Sequence, residues 1–453
     1  MMVALQYILT LFFGYKIFTT KGLERLVWYL AGITLVSTAF NFFGGIALTK
    51  GHKIFVFLFI AALIYEGKLK LKYIKQCPLI VPLSLVFVSY LCIGLFDERL
   101  NLFKGIYRGV YNFAATYGDF LLGWISVYEK VDYPKFSKKL IVIALIFTLY
   151  GCFCFVTKKN PILDALGYQE RFMFEGAGAA FREFLVSGFL LESGVYGLSC
   201  FIFMLLIWSI KIKNSKLQTA ALGLLFINLF LTGTRSIMIP AVVGFFIYIY
   251  TGFNAKKKTQ YLLGGILVIA AVILIFPNSI GSYAGEIIDS MLDVIMPSGS
   301  GGAELGGSSL DVREAQITAA FTKYLPEKLW FGHGFNYYQE VIFVFNGGVN
   351  DAELYGMESY LCFLGVEYGL ANIIIVIIFF ISLIVYTIRN RLVDKKLYSL
   401  LLSITITFII YLATAFIGDS WLYAMPVLGF LVGLIEHNKA ITRNDTYNKI
   451  TQK

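Results

Sequence analysis

Apolar stretches close to the roughly 20 residues that cross a bilayer as a helix recur twelve or thirteen times along this chain and take up more than half of it. In hydrocarbon each backbone N–H and C=O has to be satisfied within its own segment, so repeated stretches of this kind fold as a bundle of helices. The composition agrees. Charged residues make up 15% of the chain and hydrophobic residues 58%, against about 25% charged in a soluble domain, which excludes an ordinary cytosolic enzyme. The spans fall near 3–19, 26–48, 54–66, 77–95, 104–128, 140–157, 186–210, 217–233, 236–252, 260–277, 359–388, 397–417 and 421–436. The expected fold is an all-α polytopic membrane protein with about 12–13 transmembrane helices and one long external loop that itself contains helix.

The net charge of +10 is topological. Lysines and arginines cluster between the spans at Lys68–Lys75, Lys130–Lys139, Lys211–Lys216, Lys256–Lys258 and Arg389–Lys396, and again in the tail from Lys439. That is the positive-inside pattern, and it argues against a nucleic-acid partner. Placing these clusters in the cytoplasm divides the chain into a bundle at 1–277 with a smaller external loop at 158–185, a large external loop at 278–358, three last spans at 359–436 and a basic cytoplasmic tail at 437–453. With thirteen spans the N-terminus lies outside. No cleavable signal peptide is expected, since the first apolar stretch lacks a basic start and a small-residue cleavage site. The six cysteines lie in or beside spans, and the three histidines complete no metal set.

The large loop opens on a Ser/Gly stretch, SGSGGAELGGSS, followed by a helix signal. Ser308 and Ser309 cap it, Asp311 and Glu314 fall in the first turn, Ile317, Phe321 and Tyr324 share one face, and Pro326 ends the run. No internal repeat is visible, so an inverted-repeat transporter gains no support.

The polar residues in apolar surroundings carry the functional argument. Arg235 stands in LFLTGTRSIMIP between two apolar runs. An arginine near membrane depth costs about 2.5–3.5 kcal/mol on insertion scales and calls for a partner or a task. A Gly-Thr-Arg-Ser turn leading into a helix offers N–H groups, a positive helix end and a guanidinium fork to a phosphate; the plainer alternative is a tight turn whose arginine snorkels to the interface. Arg313, in the first turn of the loop helix, opposes the helix dipole unless an anion or an acidic neighbour offsets it. Arg182 precedes a span interrupted by Glu192, and the two are candidates to pair. Arg108 and Asp119, in the fifth span, either pair with neighbouring helices or line a cavity. His333, in WFGHGFNYY, is a base or a packed turn residue. Glu358, at the mouth of a later span, takes a proton from a sugar hydroxyl or marks the helix start with Ser359, and Glu367 lies nine residues deeper. Tyr337 and Tyr338, with Trp330, Tyr355 and Tyr360, either stack on sugar faces or form the interface belt common to membrane proteins.

Three pieces in this order resemble the bacterial O-antigen polymerase and O-antigen ligase family of membrane glycosyltransferases. They are LTGTRSIMIPAVVG, a single large loop with an early Arg313 and a later KLWFGHGF, and ESYLCFLGVEYGL at the start of the next span. The stretch from Arg182 to Gly197 is also similar, without the family's proline. Where the ligases have His-Asn, this chain has Glu358-Ser359, which tilts the resemblance toward the polymerases and puts a carried-over base in doubt. The resemblance implies a GT-C-like architecture in the bacterial inner membrane and undecaprenyl-diphosphate-linked oligosaccharides as substrates. It also implies a flippase and a chain-length regulator as pathway partners, and no cofactor. The expected site is Arg235 and Arg313 clamping the diphosphate without a metal, Glu358 beside them, and Arg182, Glu192, His333, Tyr337 and Tyr338 contacting substrate. The rivals are a ligase to lipid A core or protein, and a lipid-linked oligosaccharide flippase.

Overall fold

The computed structural model describes residues 2–41, 53–68, 71–128, 133–168, 185–209, 215–261, 263, 308–342, 354, 359–414 and 420–451. Among these there is no β-strand. The main helices are α1 (Met2–Thr19), α2 (Gly22–Leu35), α3 (Ile54–Tyr65), α4 (Ile80–Leu95), α5 (Leu102–Ala114), α6 (Gly118–Ile125), α7 (Tyr133–Thr157), α8 (Ser193–Ser209), α9 (Ser215–Leu231), α10 (Arg235–Gly252), α11 (Ser308–Ala319), α12 (Gly369–Arg389), α13 (Lys395–Thr414) and α14 (Trp421–Thr451). Four helical stretches, Met2–Thr19, Pro134–Thr157, Tyr360–Arg389 and Lys395–Thr414, are long and apolar enough to cross a membrane, and five shorter apolar helices accompany them. The protein is an all-α polytopic membrane protein.

The side-chain distribution along α12 shows why these helices suit lipid. Ile374, Ile377, Ile378, Ile381, Val385 and Ile388 form an exposed apolar stripe, while Asn372, Val376, Phe379, Phe380, Leu383 and Thr387 are buried against the bundle. The buried Asn372 amide nitrogen donates to the Ser89 hydroxyl at 2.8 Å, while its Oδ1 has no hydrogen-bond partner among the described residues. Where α6 crosses α14, Gly123 and Gly429 bring the two backbones into contact, and a Cβ at either would meet a carbonyl at 1.9 Å. Small residues at such crossings are how membrane helices gain packing without a hydrophobic drive between them. Trp421 at the head of α14 fills the centre, 4.6 Å from Tyr117 and 5.0 Å from Phe408 between ring centroids.

Three expected spans have different bounds; the one at 26–48 ends as a helix at Leu35, where Val36 turns extended. The stretch 104–128 is no single span: it breaks between Ala114 and Gly118 into α5 and α6. At 13 residues, α5 is only about 20 Å long, too short to cross. The stretch 186–210 becomes helical only at Ser193, after a turn at Leu190. The expected span at 260–277 lies almost wholly outside the described residues.

Candidate functional site

The LTGTR segment forms the turn between α9 and α10. Gly233 has φ +60°, a conformation that a side chain resists, and the extended Thr234 leads into the helix at Arg235. Pro240 inside α10 lacks the N–H that would bond the Ser236 carbonyl. The Thr414 hydroxyl of α13 is shared between that carbonyl at 3.2 Å and the Ile410 carbonyl of its own helix at 3.0 Å, and Ser403 and Thr407 of α13 donate to the Gly244 and Pro240 carbonyls. These three hydroxyls tie α10 to α13. Gly197 of α8 packs against Thr232 and Ile237 on the other side. The first N–H groups of a helix have no intrahelical acceptor, and the buried Thr234 Oγ1 has no hydrogen-bond partner among the described residues. Arg235 is described here by its backbone alone.

The helix over the large loop forms as expected, but with shifted details. It begins at Ser308, so Arg313 is its sixth residue and lies in the second turn, beyond most of the dipole's reach. Its buried face is Gln316, Ala319, Ala320 and Tyr324, while Ile317 stays at the exposed margin. A π turn at Ala320–Tyr324 and a last turn through Pro326 end it at Glu327.

The next residues, 329–338, dock on a break in the helix that follows. Tyr360–Phe363, a π turn at Leu364–Tyr368 and α12 run in series, with Gly369 at φ +74° between the last two. That break frees backbone groups, and the glycine-rich turn supplies their partners. Leu370 and Ala371 donate N–H to the Leu329 and Trp330 carbonyls at 2.8 and 3.1 Å, while His333 and Gly334 donate to the Val366 and Glu367 carbonyls at 3.1 and 3.0 Å. The contact demands glycine: a Cβ on Gly369 would lie 2.4 Å from the Gly332 nitrogen.

Glu367 sits inside this junction, 3% exposed, and its two oxygens accept the backbone N–H groups of Asn336 at 3.1 Å and Tyr338 at 3.0 Å. Around it runs an ionic network. Arg99 forks onto Asp97 at 2.7 and 2.8 Å and donates to the Phe335 carbonyl at 3.0 Å. Arg108 donates to the same carbonyl at 3.1 Å and to Glu340 at 2.8 Å, and Glu340 also takes Arg99 at 3.2 Å. Lys328 pairs with Glu98. Arg108 is therefore an ion-pair partner of the loop segment, and Asp119 is buried beside Tyr29 in the core.

His333 stacks on Tyr337 at 4.4 Å, and its Nε2 lies 3.2 Å from the Tyr324 carbonyl. A carbonyl only accepts, so in the neutral ring Nε2 carries the proton and Nδ1 is the acceptor. Burial lowers the imidazole pKa below its ordinary value, against the raising effect of the Tyr324 carbonyl and Glu327. Tyr337 is half-buried with the Arg99 guanidinium 5.2 Å from its ring. Tyr338 is packed edge-on against Phe363, and its hydroxyl donates to the Leu354 carbonyl at 3.0 Å, so it supports the loop and offers no open ring face.

Glu192 is exposed in the turn before α8, where its carbonyl accepts the Tyr196 N–H; it does not lie within a span. Arg182 and Glu358 lie outside the described residues. Ser359 caps the helix at Tyr360, accepting the Leu361 N–H at 3.2 Å and donating to the Ala413 carbonyl. The structure thus joins His333, Tyr337 and Tyr338 into one unit with Glu367, Arg99, Arg108 and Glu340. The sequence marks Glu367 only by its place nine residues beyond Glu358, and it does not mark Arg99 or Glu340: their pairing spans 241 positions, and no local pattern signals it.

Comparison with characterised proteins finds no match. Residues 220–377 match the family model of O-antigen ligase. That span contains the Arg235 turn, α11, the His333 turn and Glu367, and it supports a membrane glycan-processing function in O-antigen assembly.

Proposed function

We propose that this chain, whose residues 220–377 match the family model of O-antigen ligase, is a polysaccharide repeat-unit polymerase. It transfers a growing glycan from undecaprenyl diphosphate to an incoming lipid-linked repeat unit at the outer face of the inner membrane. The observation that carries this reading is the Arg235 turn: a left-handed Gly233, a buried Thr234 hydroxyl without a partner among the described residues and the N-terminus of an 18-residue helix meet at one arginine. Oriented N–H groups and a guanidinium favour an anionic oxygen cluster.

In the reaction, a hydroxyl oxygen of the incoming unit attacks the anomeric carbon of the growing chain. The carbon–oxygen bond to the diphosphate breaks, the diphosphate departs with the electron pair, and the hydroxyl proton passes to solvent or to a side chain. Negative charge grows on the leaving oxygens, and preorganised donors aimed at it accelerate such a step by about 10²–10³ each. Arg235 and Arg313 are assigned this task without a metal ion, with Arg182 and Glu358 in supporting roles. The turn holding His333 and Tyr337 stands at the end of α12 opposite its basic Arg389 end. With 21 residues, α12 is about 31 Å long, one hydrocarbon thickness, so positive-inside orientation sets that turn at the outer boundary, where the sugars are presented.

The test is transfer by purified protein given undecaprenyl-diphosphate-linked repeat units and EDTA. The reading expects a ladder of lipid-linked products. Glycan appearing only when lipid A core or protein is added as acceptor would make the chain a ligase, and no transfer under either condition would favour a flippase.

A further inference from the structure

We propose that the edge of α5 bearing Lys104 and Arg108 is a second site for a phosphate-bearing lipid: Arg99 and Arg108 hold the phosphate where Glu340 now sits, and the apolar stripe of α5 lies along the acyl chain. The inference rests on the polymerase reading, in which two lipid-linked substrates meet, and it names the place of the second.

α5 has the pattern of a helix lying in the membrane interface. Leu102, Phe103, Ile106, Tyr107 and Val110 form one stripe, between 41 and 79% exposed, and Lys104 and Arg108, one turn apart, run along its margin. Helices with such a stripe and a basic margin bury the apolar side at the acyl boundary and set the basic side among headgroups. Gly105 and Gly109, on the flank next to Leu102, are buried against α4, where a Cβ would meet the Gly94 and Tyr90 carbonyls. The surface continues onto Phe96, 60% exposed and stacked on Phe331 at 4.7 Å, and onto Trp330, 59% exposed.

At the margin the guanidiniums already hold an anion. Arg108 grips both Glu340 oxygens, at 2.8 and 3.3 Å, and Arg99 adds a third contact at 3.2 Å. Asp97 anchors Arg99 from the other side, so its fork stays in place whatever Glu340 does. Among the described residues Glu340 is the one carboxylate paired with Arg108, and its side chain is 42% exposed. Ion pairs this exposed contribute little, whereas a phosphate brings more charge and three acceptor oxygens. A phosphate exchanging with Glu340 meets Arg108 and Arg99, with Asp97 and Glu98 already paired with Arg99 and Lys328. The adjoining apolar stripe selects a lipid over free phosphate.

The experiment is photolabelling of the full chain in detergent with a photoactivatable polyprenyl phosphate, followed by peptide mapping. The expected result is label on the 96–114 segment. In Arg108→Gln the label there falls about fivefold, the loss of one basic side chain near a lipid surface. In Glu340→Gln it rises, and equimolar inorganic phosphate leaves it unchanged. Label absent from this segment, or retained in full in folded Arg108→Gln, overturns the site. A drop in Glu340→Gln shows that Glu340 builds the site instead of occupying it, and displacement by equimolar phosphate overturns the lipid assignment. Labelling requires no turnover, so a failed transfer assay with this labelling intact would sink the polymerase reading alone.

Discussion

The carboxylate of Glu367 accepts the backbone N–H of Tyr338 at 3.0 Å, and its second oxygen takes the Asn336 N–H at 3.1 Å. One buried acid thereby fixes the start of the turn that follows His333. Glutamine keeps one acceptor and turns an NH₂ toward the other N–H. Glu367→Gln is therefore expected to cost about 1–3 kcal/mol, the penalty of a buried donor without a partner. The accompanying sign is faster hydrogen exchange at Asn336 and Tyr338 than elsewhere in the bundle. Unchanged exchange at both amides would contradict this role.

Gly369 lies where two backbones meet at φ +74°, and a Cβ there would come within 2.4 Å of the Gly332 nitrogen. Gly369→Ala is expected to lose more than about 2 kcal/mol from the left-handed strain and the clash with the 331–332 backbone. Gly223, in α9 with open space around it, is the contrasting site, where alanine is expected to be neutral or stabilising by up to about 1 kcal/mol. Thermal unfolding of the two variants in one detergent checks the pair.

Arg108 and Glu340 are 25% and 42% exposed, so their coupling is expected to be small. A double-mutant cycle with Arg108→Gln and Glu340→Gln should give about 0.2–1 kcal/mol at low salt and less at high salt. A coupling of several kcal/mol that ignores salt would mean the pair is buried in solution.

His333 supplies a pH dependence. Burial holds its folded pKa below the ordinary value, about 6.5 in the unfolded chain. The unfolded state then binds the proton first as pH falls. The stability tied to the neutral ring is full above about 6.5 and is lost as pH falls through the folded value. Melting followed from pH 8 to 5 should show this loss, and His333→Gln should flatten it. A wild-type curve level across that range would contradict the assignment.

Much of this was legible in the sequence because it was local. The helix at 308–327 followed from its caps and apolar face, and the α9–α10 turn from Gly233 and Arg235. The break between α5 and α6 was missed because Ala115–Tyr117 holds no proline or glycine. The better signal was the alternation of Arg108, Asn112 and Thr116 with exposed apolar residues, which marks an interfacial helix instead of a span. On α11 the buried face is turned by about one residue from the expected Ile317–Phe321–Tyr324 face: Gln316 is buried and Ile317 is at the exposed margin. The Asp97–Arg99–Glu340–Arg108 network joins distant segments, and only the fold brings them together.

Arg235 is the residue proposed to stabilise the departing diphosphate. Single-turnover transfer from a saturating lipid-diphosphate donor, with EDTA present, compares wild type, Arg235→Lys and Arg235→Ala. Loss of one preorganised donor predicts a rate about 10²–10³ lower for alanine, with partial recovery in lysine, which keeps the charge but not the fork. A folded Arg235→Ala that transfers at the wild-type rate would contradict the account.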